Sequence, residues 1–243
     1  MSARRFFARA LPAAGGEVRL DAGAARHARV LRLREGDAVV LFDGSGAEAE
    51  GHVASIGDEV RCVVGPPRAG AAPGPSVVLC QCLPKGSKLD DIVRASTELG
   101  VRAIHLVSSE RAVARPDPAR AEKRLERLAA VAREAARQSG RADVPDLLAP
   151  APLDEVLARA PEGAARIAFA PGGEGTLASA VGEARLAWVL IGPEGGLAPA
   201  ELALAARIGF AVVGLGRTVL RVETAAPVAL ALVLHRMGGL APG

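Results

Sequence analysis

Two stretches of the 243-residue sequence combine residue types that could hold a small ligand. The first is Ile191-Gly192-Pro193-Glu194-Gly195-Gly196-Leu197, which follows the apolar Leu190. Its glycines leave peptide N–H and C=O groups uncovered, so a flat ligand such as adenine can approach the backbone without meeting a Cβ. A plain strand-to-helix turn needs only about two residues. The second is Leu215-Gly216-Arg217-Thr218-Val219-Leu220-Arg221-Val222-Glu223-Thr224-Ala225. It sets Arg221, Glu223 and Thr224 directly before an apolar run read as a helix over 225–237, with Thr224 as its cap. Capping accounts for Thr224, and the helix dipole accounts for Glu223 and Glu194. A cation at a helix N-terminus is unfavourable, so Arg221 stands against its local preference and is a candidate for chemistry.

Several other chemistries lack their residues. There is no phosphate-loop pattern, no G-x-G-x-x-G and no nucleophile elbow. His27, His52, His105 and His235 do not fall with the cysteines at zinc spacing, so no metal is expected. His105 lies in an apolar strand and reads as a core histidine. Cys80 and Cys82 share one strand face and read as packing residues. Three cysteines without C-x-x-C point to a reducing compartment, and the protein is read as cytoplasmic. No run has the length and apolarity of a membrane span. Arg4-Arg5 near the start is not followed by an apolar core, because Arg9, Pro12 and Glu17 interrupt it.

The elements that must position the two loops follow from period and punctuation. Up to Val64 the chain reads as a short helix over 24–33 and close-set strands over 39–42, 50–56 and 60–64, joined by Asp-Gly-Ser-Gly and Gly-Asp turns; this fits a small β-barrel. The Gly- and Pro-rich stretch 65–75 is a linker by composition, which divides the chain into domains 1–70 and 75–243. Beyond it, buried-type strands at 77–83, 101–107, 166–170, 187–191 and 212–215 alternate with helices. Ser87 with Asp90 opens one helix and Gly100 ends it. Asp117 caps a long helix stopped by Gly140, and Pro199 stands at the first position of another. The expected fold class is α/β: a β-barrel, then a mostly parallel sheet covered on both faces.

Charge is uneven along the chain. Residues 1–34 hold 8 Arg against 2 acids (net +6) and residues 85–141 hold 13 basic against 8 acidic residues (net +5), whereas 35–84 and 142–243 are net −5 and −3. Separated basic blocks suit a polyanion. Five Phe, one Trp and no Tyr exclude a module that binds nucleic acid through rows of stacked rings.

The two loops, together with Arg26-His27-Ala28-Arg29-Val30-Leu31-Arg32, Leu41-Phe42-Asp43-Gly44-Ser45-Gly46, Lys85-Gly86-Ser87-Lys88-Leu89-Asp90, Thr97-Glu98-Leu99-Gly100-Val101, Ser109-Glu110-Arg111 and Gln138-Ser139-Gly140-Arg141, closely resemble the RsmE family along nearly the whole chain. These are SPOUT-class methyltransferases acting on uracil N3 of small-subunit 16S ribosomal RNA. Arg137 departs from the family's common Glu, and Val222 from its frequent Thr. The resemblance implies a PUA-like RNA-binding barrel over 1–70, a methyltransferase domain over 75–243 with a C-terminal trefoil knot, S-adenosylmethionine as donor, and a homodimer acting on 16S rRNA within an assembled small subunit. Topology rules alone predict an ordinary doubly wound sheet. On this reading Leu190, Ile191, Gly192, Glu194, Gly195, Gly196, Leu215, Gly216, Val219, Leu220, Thr224 and Ala225 bind the donor. Arg221 stabilises the uracil anion, and Glu223 or Glu194 takes the N3 proton or orients Arg221. Arg4, Arg5, His27, Arg29, Arg32, Lys85, Lys88, Arg111 and Arg141 contact RNA. Methylation of another RNA position on the same fold, and a non-catalytic ribosome-assembly protein, are the competing expectations.

Overall fold

The computed structural model describes residues 4–57, 59–70, 74–111 and 118–240, with backbone only for 118–120. The chain forms two compact units, Met1–Ala72 with Arg133–Val144, and Pro73–Ala132 with Pro145–Gly243. The expected division at the linker did not include the return of Arg133–Val144 to the first unit.

The first unit holds strands β1 (Arg5–Phe7) and β2 (Glu17–Arg19), helix α1 (Ala22–Val30), and strands β3 (Ala38–Phe42), β4 (Ala47–Ile56), β5 (Val60–Val64) and β6 (Arg68–Ala69). They form one sheet in the order β1-β3-β4-β5-β2, with β6 on β4; only β1–β3 is parallel. The ten-residue β4 serves three partners, and its register on β5 shifts between Val53 and Ser55. Such a shift adds twist. The sheet curls around Phe6, Leu41, Val53 and Val60, which are buried. Asp21 caps α1, its Oδ1 accepting the Ala24 N–H at 2.8 Å. From the returning segment, Ala136 and Ala142 pack on Phe42 beside Phe7 and Val144.

The second unit alternates β7 (Ser76–Cys82), α2 (Lys88–Glu98), β8 (Ala103–Ser108), α3 (Pro118–Ser139), β9 (Asp146–Pro152), α4 (Leu153–Leu157), β10 (Ala165–Phe169), α5 (Leu177–Val181), β11 (Leu186–Ile191), α6 (Pro199–Arg207), β12 (Ala211–Val213) and α7 (Val222–Arg236). Six parallel strands run in the order β12-β10-β11-β7-β8-β9. Their near-continuous burial matches apolar runs that face helices on both sides. Cys62, Cys80 and Cys82 are free and buried. Burial pushes the thiols of Cys62 up to about 11 and Cys82 up to about 12, so they pack and do not react at neutral pH. His105 is buried against Trp188, with ring centroids 4.9 Å apart. Among the described residues no helix is long and apolar enough to cross a membrane.

Three helix starts differ from expectation or escape the description. Ser87 is the N-cap of α2 but makes no side-chain cap bond; its carbonyl accepts the Asp90 N–H at 3.1 Å, and the Asp90 carboxylate pairs with Arg127. Asp117 lies outside the described residues. Helix α7 begins at Val222, with Arg221 as N-cap and Thr224 inside the first turn. The buried stripe explains the earlier start: Val222, Ala226, Ala229, Leu230 and Val233 continue at helical spacing, so one more turn faces the core.

Candidate functional site

Strands β12, β10 and β11 are neighbours in one parallel sheet, so the loops after them leave from the same edge. Open α/β sheets bind ligands at this carboxyl edge. Here the three loops and the start of α7 enclose a cavity of about 440 Å³. Phe169–Gly172 enters after β10, Ile191–Glu194 with Gly196 and Leu197 after β11, and Leu215–Arg221 after β12. Val222 and Ala225 come from α7, and Lys88 from α2. Each loop turns on a glycine with positive φ: Gly172 at +77°, Gly196 at +68° and Gly216 at +100°. The loops after β10 and β12 also touch through bare backbone, because a Cβ on Gly173 would lie 2.6 Å from the Val213 carbonyl carbon.

The cavity therefore presents peptide groups and small apolar walls, with cations at its rim. Such a surface fits a nucleoside with a charged appendage better than a phosphate, which would call for convergent N–H groups at a helix N-terminus. Of the expected donor contacts, Ile191, Gly192, Glu194, Gly196, Leu215, Gly216, Val219, Leu220 and Ala225 line the cavity. Three do not. Leu190 is wholly buried within β11, opposite Cys80 of β7. Gly195 turns away and its carbonyl accepts from Arg111 Nη1 at 2.8 Å. Thr224 is exposed on the first turn of α7. The loop Phe169–Gly172 was missed, although Pro171-Gly172-Gly173 directly after a buried-type strand is the same signal that marked the other two loops.

Arg221 lines the cavity, and its backbone carbonyl accepts the N–H groups of Thr224 (2.9 Å) and Ala225 (2.7 Å). Its guanidinium is exposed and, among the described residues, has no hydrogen bond or ion pair. The backbone thus does the capping while the cation stays available. The carboxylates beside it are differently held. Lys88 Nζ lies 3.0 Å from Glu194 Oε1 and 3.5 Å from Glu223 Oε2, and the Lys85 N–H donates to both Glu194 oxygens at 3.1 and 3.2 Å. Desolvation pulls the Glu194 pKa upward, but its own backbone N–H, Lys88 and the Lys85 N–H outweigh that and hold it below the usual carboxylate range. Hydrogen bonding to Glu194, ahead of the opposing desolvation, raises the Lys88 pKa. Glu223 Oε2 is buried and accepts no hydrogen bond. Glu223 does not itself line the cavity. A third acid serves structure: Glu201 accepts the N–H of Ala198 and of Glu110, both at 2.8 Å, which pins the start of α6.

The residues expected to contact RNA fall into distinct groups. Arg5 is buried, bonded to Glu48 (2.9 Å) and to the Arg141 carbonyl (3.0 Å), with its guanidinium over the Phe42 ring. This corrects its assignment to RNA, since its charge is consumed inside the unit. Lys88 belongs to the cavity and Arg111 to its loop. His27 is half-buried against Phe6, and burial, then the nearby Arg137, lower its pKa. It is thus neutral at pH 7 and adds no cation. Arg137 itself is buried and grips Glu134 through Nε (2.9 Å) and Nη2 (2.5 Å). Arg4 pairs with Asp37 at 3.0 Å and Arg141 with Asp143 at 2.5 Å. Arg29, Arg32 and Lys85 are exposed.

Comparison with known proteins defines the class first. Residues 72–234 match the family model of an RNA methyltransferase domain, and residues 20–64 that of an RNA methyltransferase PUA domain. The sequence is 36% identical to the ribosomal RNA small subunit methyltransferase E of Mycobacterium bovis over 96% of this chain and 92% of that one. It is 30% identical to the protein of that name from Bacillus subtilis over 85% of each. The chain belongs to the ribosomal RNA small subunit methyltransferase E family. Among solved structures it is similar to a putative methyltransferase from Legionella pneumophila in complex with S-adenosylmethionine (TM-score 0.90, 26% identity, 97% of this chain and 98% of that one). It is also similar to the ribosomal RNA small subunit methyltransferase E of Neisseria gonorrhoeae bound to the same compound (TM-score 0.87, 29% identity, 95% and 96%).

Proposed function

We infer that this protein transfers a methyl group from S-adenosylmethionine to N3 of a uridine in 16S rRNA of the small ribosomal subunit. The observation that carries the reading is Arg221: an unpaired guanidinium at the mouth of a cavity walled by bare peptide. The donor's sulfonium supplies an electrophilic methyl. The protein must then align the acceptor and stabilise the charge left when N3 loses its proton. Arg221 is placed to face a uracil carbonyl oxygen, where that charge accumulates. Lys88 restrains both acids. Glu194, on the cavity wall and held by Lys88 and the Lys85 N–H, or Glu223, paired with the same Lys88 just outside the lining, takes the N3 proton or orients Arg221.

The first unit, a PUA-like barrel, holds the RNA through Arg4, Arg29 and Arg32, and Lys85 and Arg111 are RNA contacts of the catalytic unit. Phosphate contacts of this kind position RNA without reading sequence, so the assembled subunit supplies the selectivity. The protein acts as a homodimer in the cytoplasm. Val219 is 81% exposed on a cavity loop and Leu232 is 44% exposed on the apolar helix α7, which supports a partner chain covering that face. The trefoil knot belongs to the same reading and rests on the chain's membership of the family.

The test is mass spectrometry of digested 16S rRNA from a strain lacking the protein, complemented with the wild type or with Arg221→Ala. Loss of one N3-methyluridine, restored only by the wild type, is the expected result. An unchanged N3-methyluridine, or loss of a different modification, overturns the reading.

A further inference from the structure

Helix α1 in the first unit ends in an unusual way. Its C-cap is Leu31, the Arg32 N–H donates to the Arg29 carbonyl at 2.9 Å, and the Leu33 N–H donates to the Ala28 carbonyl at 3.1 Å. This is the helix ending in which the residue after the cap adopts the left-handed conformation, and glycine is its usual occupant. Here the occupant is Arg32, at φ +52°. Among the described residues every other positive-φ position is glycine. An L-residue with a long side chain is strained there, and strain of that kind clusters where a side chain is needed for contact.

The surroundings of Arg32 show what that contact requires. The helix buries only Ala25 and Ala28, and carries no acid from Ala22 to Val30. Its outer face presents Arg26 and Val30, four residues apart, beside Arg29. Arg29 is oriented by an Nη2 bond to the Gly57 carbonyl at 2.6 Å. Val30 is 72% exposed and Leu31 40%. Two large aliphatic side chains therefore stand in water amid three arginines.

We propose that the end of α1 is a wedge for an unpaired nucleobase: Val30 and Leu31 pack against the face of a base splayed from single-stranded or loop RNA, while Arg26, Arg29 and Arg32 hold the phosphates on either side. Arg26 and Arg32 are exposed, and they select a polyanion over an apolar protein face, because covering these two cations with apolar protein would strand their charge. The aliphatic pair selects an unpaired base over a duplex, whose accessible surface is phosphate and 2′-hydroxyl. In a chain without tyrosine, aliphatic side chains do the work that stacked rings do elsewhere. This proposal rests on the reading of the first unit as RNA-binding and names the form of RNA it takes.

The test uses the full chain and fluorescence anisotropy with mixed-sequence single-stranded RNA and a duplex of the same sequence, over a salt series. The Val30→Ala/Leu31→Ala double variant is expected to lose roughly 10-fold in affinity for the single strand, with duplex binding and salt slope unchanged. Arg32→Gly is expected to weaken both and reduce the salt slope by about one, while its Tm equals or exceeds the wild type because the strain is relieved. Equal effects of the double variant on strand and duplex, or none on either, overturn the wedge. So does a fall in Tm for Arg32→Gly, which assigns that residue to structure, or loss of dimer in light scattering for the double variant, which makes the patch a protein interface. Absence of salt-dependent RNA binding by the wild type is a separate result, and it defeats the RNA reading of the unit as a whole.

Discussion

The cavity of the second unit and the arginine-bearing face of the first offer different parts of the chain to the ligands proposed for them. Around the cavity the contacting surface is peptide, uncovered by Gly172, Gly192, Gly196 and Gly216, and the loops are fixed by a parallel sheet beneath them. On α1 the contacting surface is side chain, carried on a short helix whose buried face is two alanines. A backbone site restricts which residues can stand in it, whereas a side-chain site only needs charge and reach. Substitution should therefore act on chemistry in one region and on affinity or folding in the other.

The largest effect should come from the cavity. Arg221→Ala is expected to slow methyl transfer by about 100-fold or more while calorimetry with S-adenosylmethionine shows donor binding within a few-fold of wild type. Equal turnover by the variant would reduce Arg221 to a helix cap. In the first unit, Arg5→Ala should leave the largely buried Glu48 with only the exposed Arg68 as partner and the Arg141 carbonyl without its donor, and cost about 2 kcal/mol in urea unfolding of that unit, with donor affinity unchanged. The exposed Arg26→Ala should cost under about 0.5 kcal/mol by the same measurement. That contrast separates structural arginines from contact arginines.

Lys88→Met sharpens the account of the cavity. In the wild type the folded pKa of Glu194 is depressed, so its stabilisation is complete above the unfolded value and is lost as pH falls through the folded one. The folded pKa of Lys88 is raised, so its stabilisation is complete below the unfolded value and is lost as pH rises through the folded one. The clasp is thus intact across the neutral range. Without Lys88 the Glu194 pKa climbs, so the acid limb of the pH–rate profile should move to higher pH, with a loss of about 10-fold in turnover at neutrality. The smallest effect belongs to His27. Burial, then Arg137, lower its folded pKa beneath the ordinary 6.5, so the unfolded chain takes the proton first. Stability of the first unit should decline as pH falls below 6.5 and level off once the folded histidine titrates too, and His27→Gln should remove that slope in urea titrations.

The same contrast governs what the sequence disclosed. Two of the three cavity loops were legible because their glycines and prolines have few other uses, and β7, β8, β10 and β11 were legible as apolar runs between turn residues. The arginines were not sortable in this way. Arg5 and Arg137 are interior, with carboxylate partners 43 and 3 positions away, and nothing in their neighbours along the chain distinguishes them from Arg29 or Arg32. Strands β1 and β2 have three residues each, too few to show a period, and β9 carries Pro150 and Pro152, which read as loop. The passage of Arg133–Val144 into the first unit was hidden because α3 keeps one amphipathic pattern along its length. The early start of α7 was masked by Thr224, a good capping residue that does not cap.

The backbone contact between Gly173 and Val213 constrains any redesign of donor preference. Neither residue lines the cavity, but spreading the loops after β10 and β12 would mean separating two main chains that already touch, so no side-chain truncation there can make room. A cofactor analogue bearing a longer transferable alkyl chain would have to be accommodated by trimming Val219 or Leu220, lining residues whose side chains can be shortened.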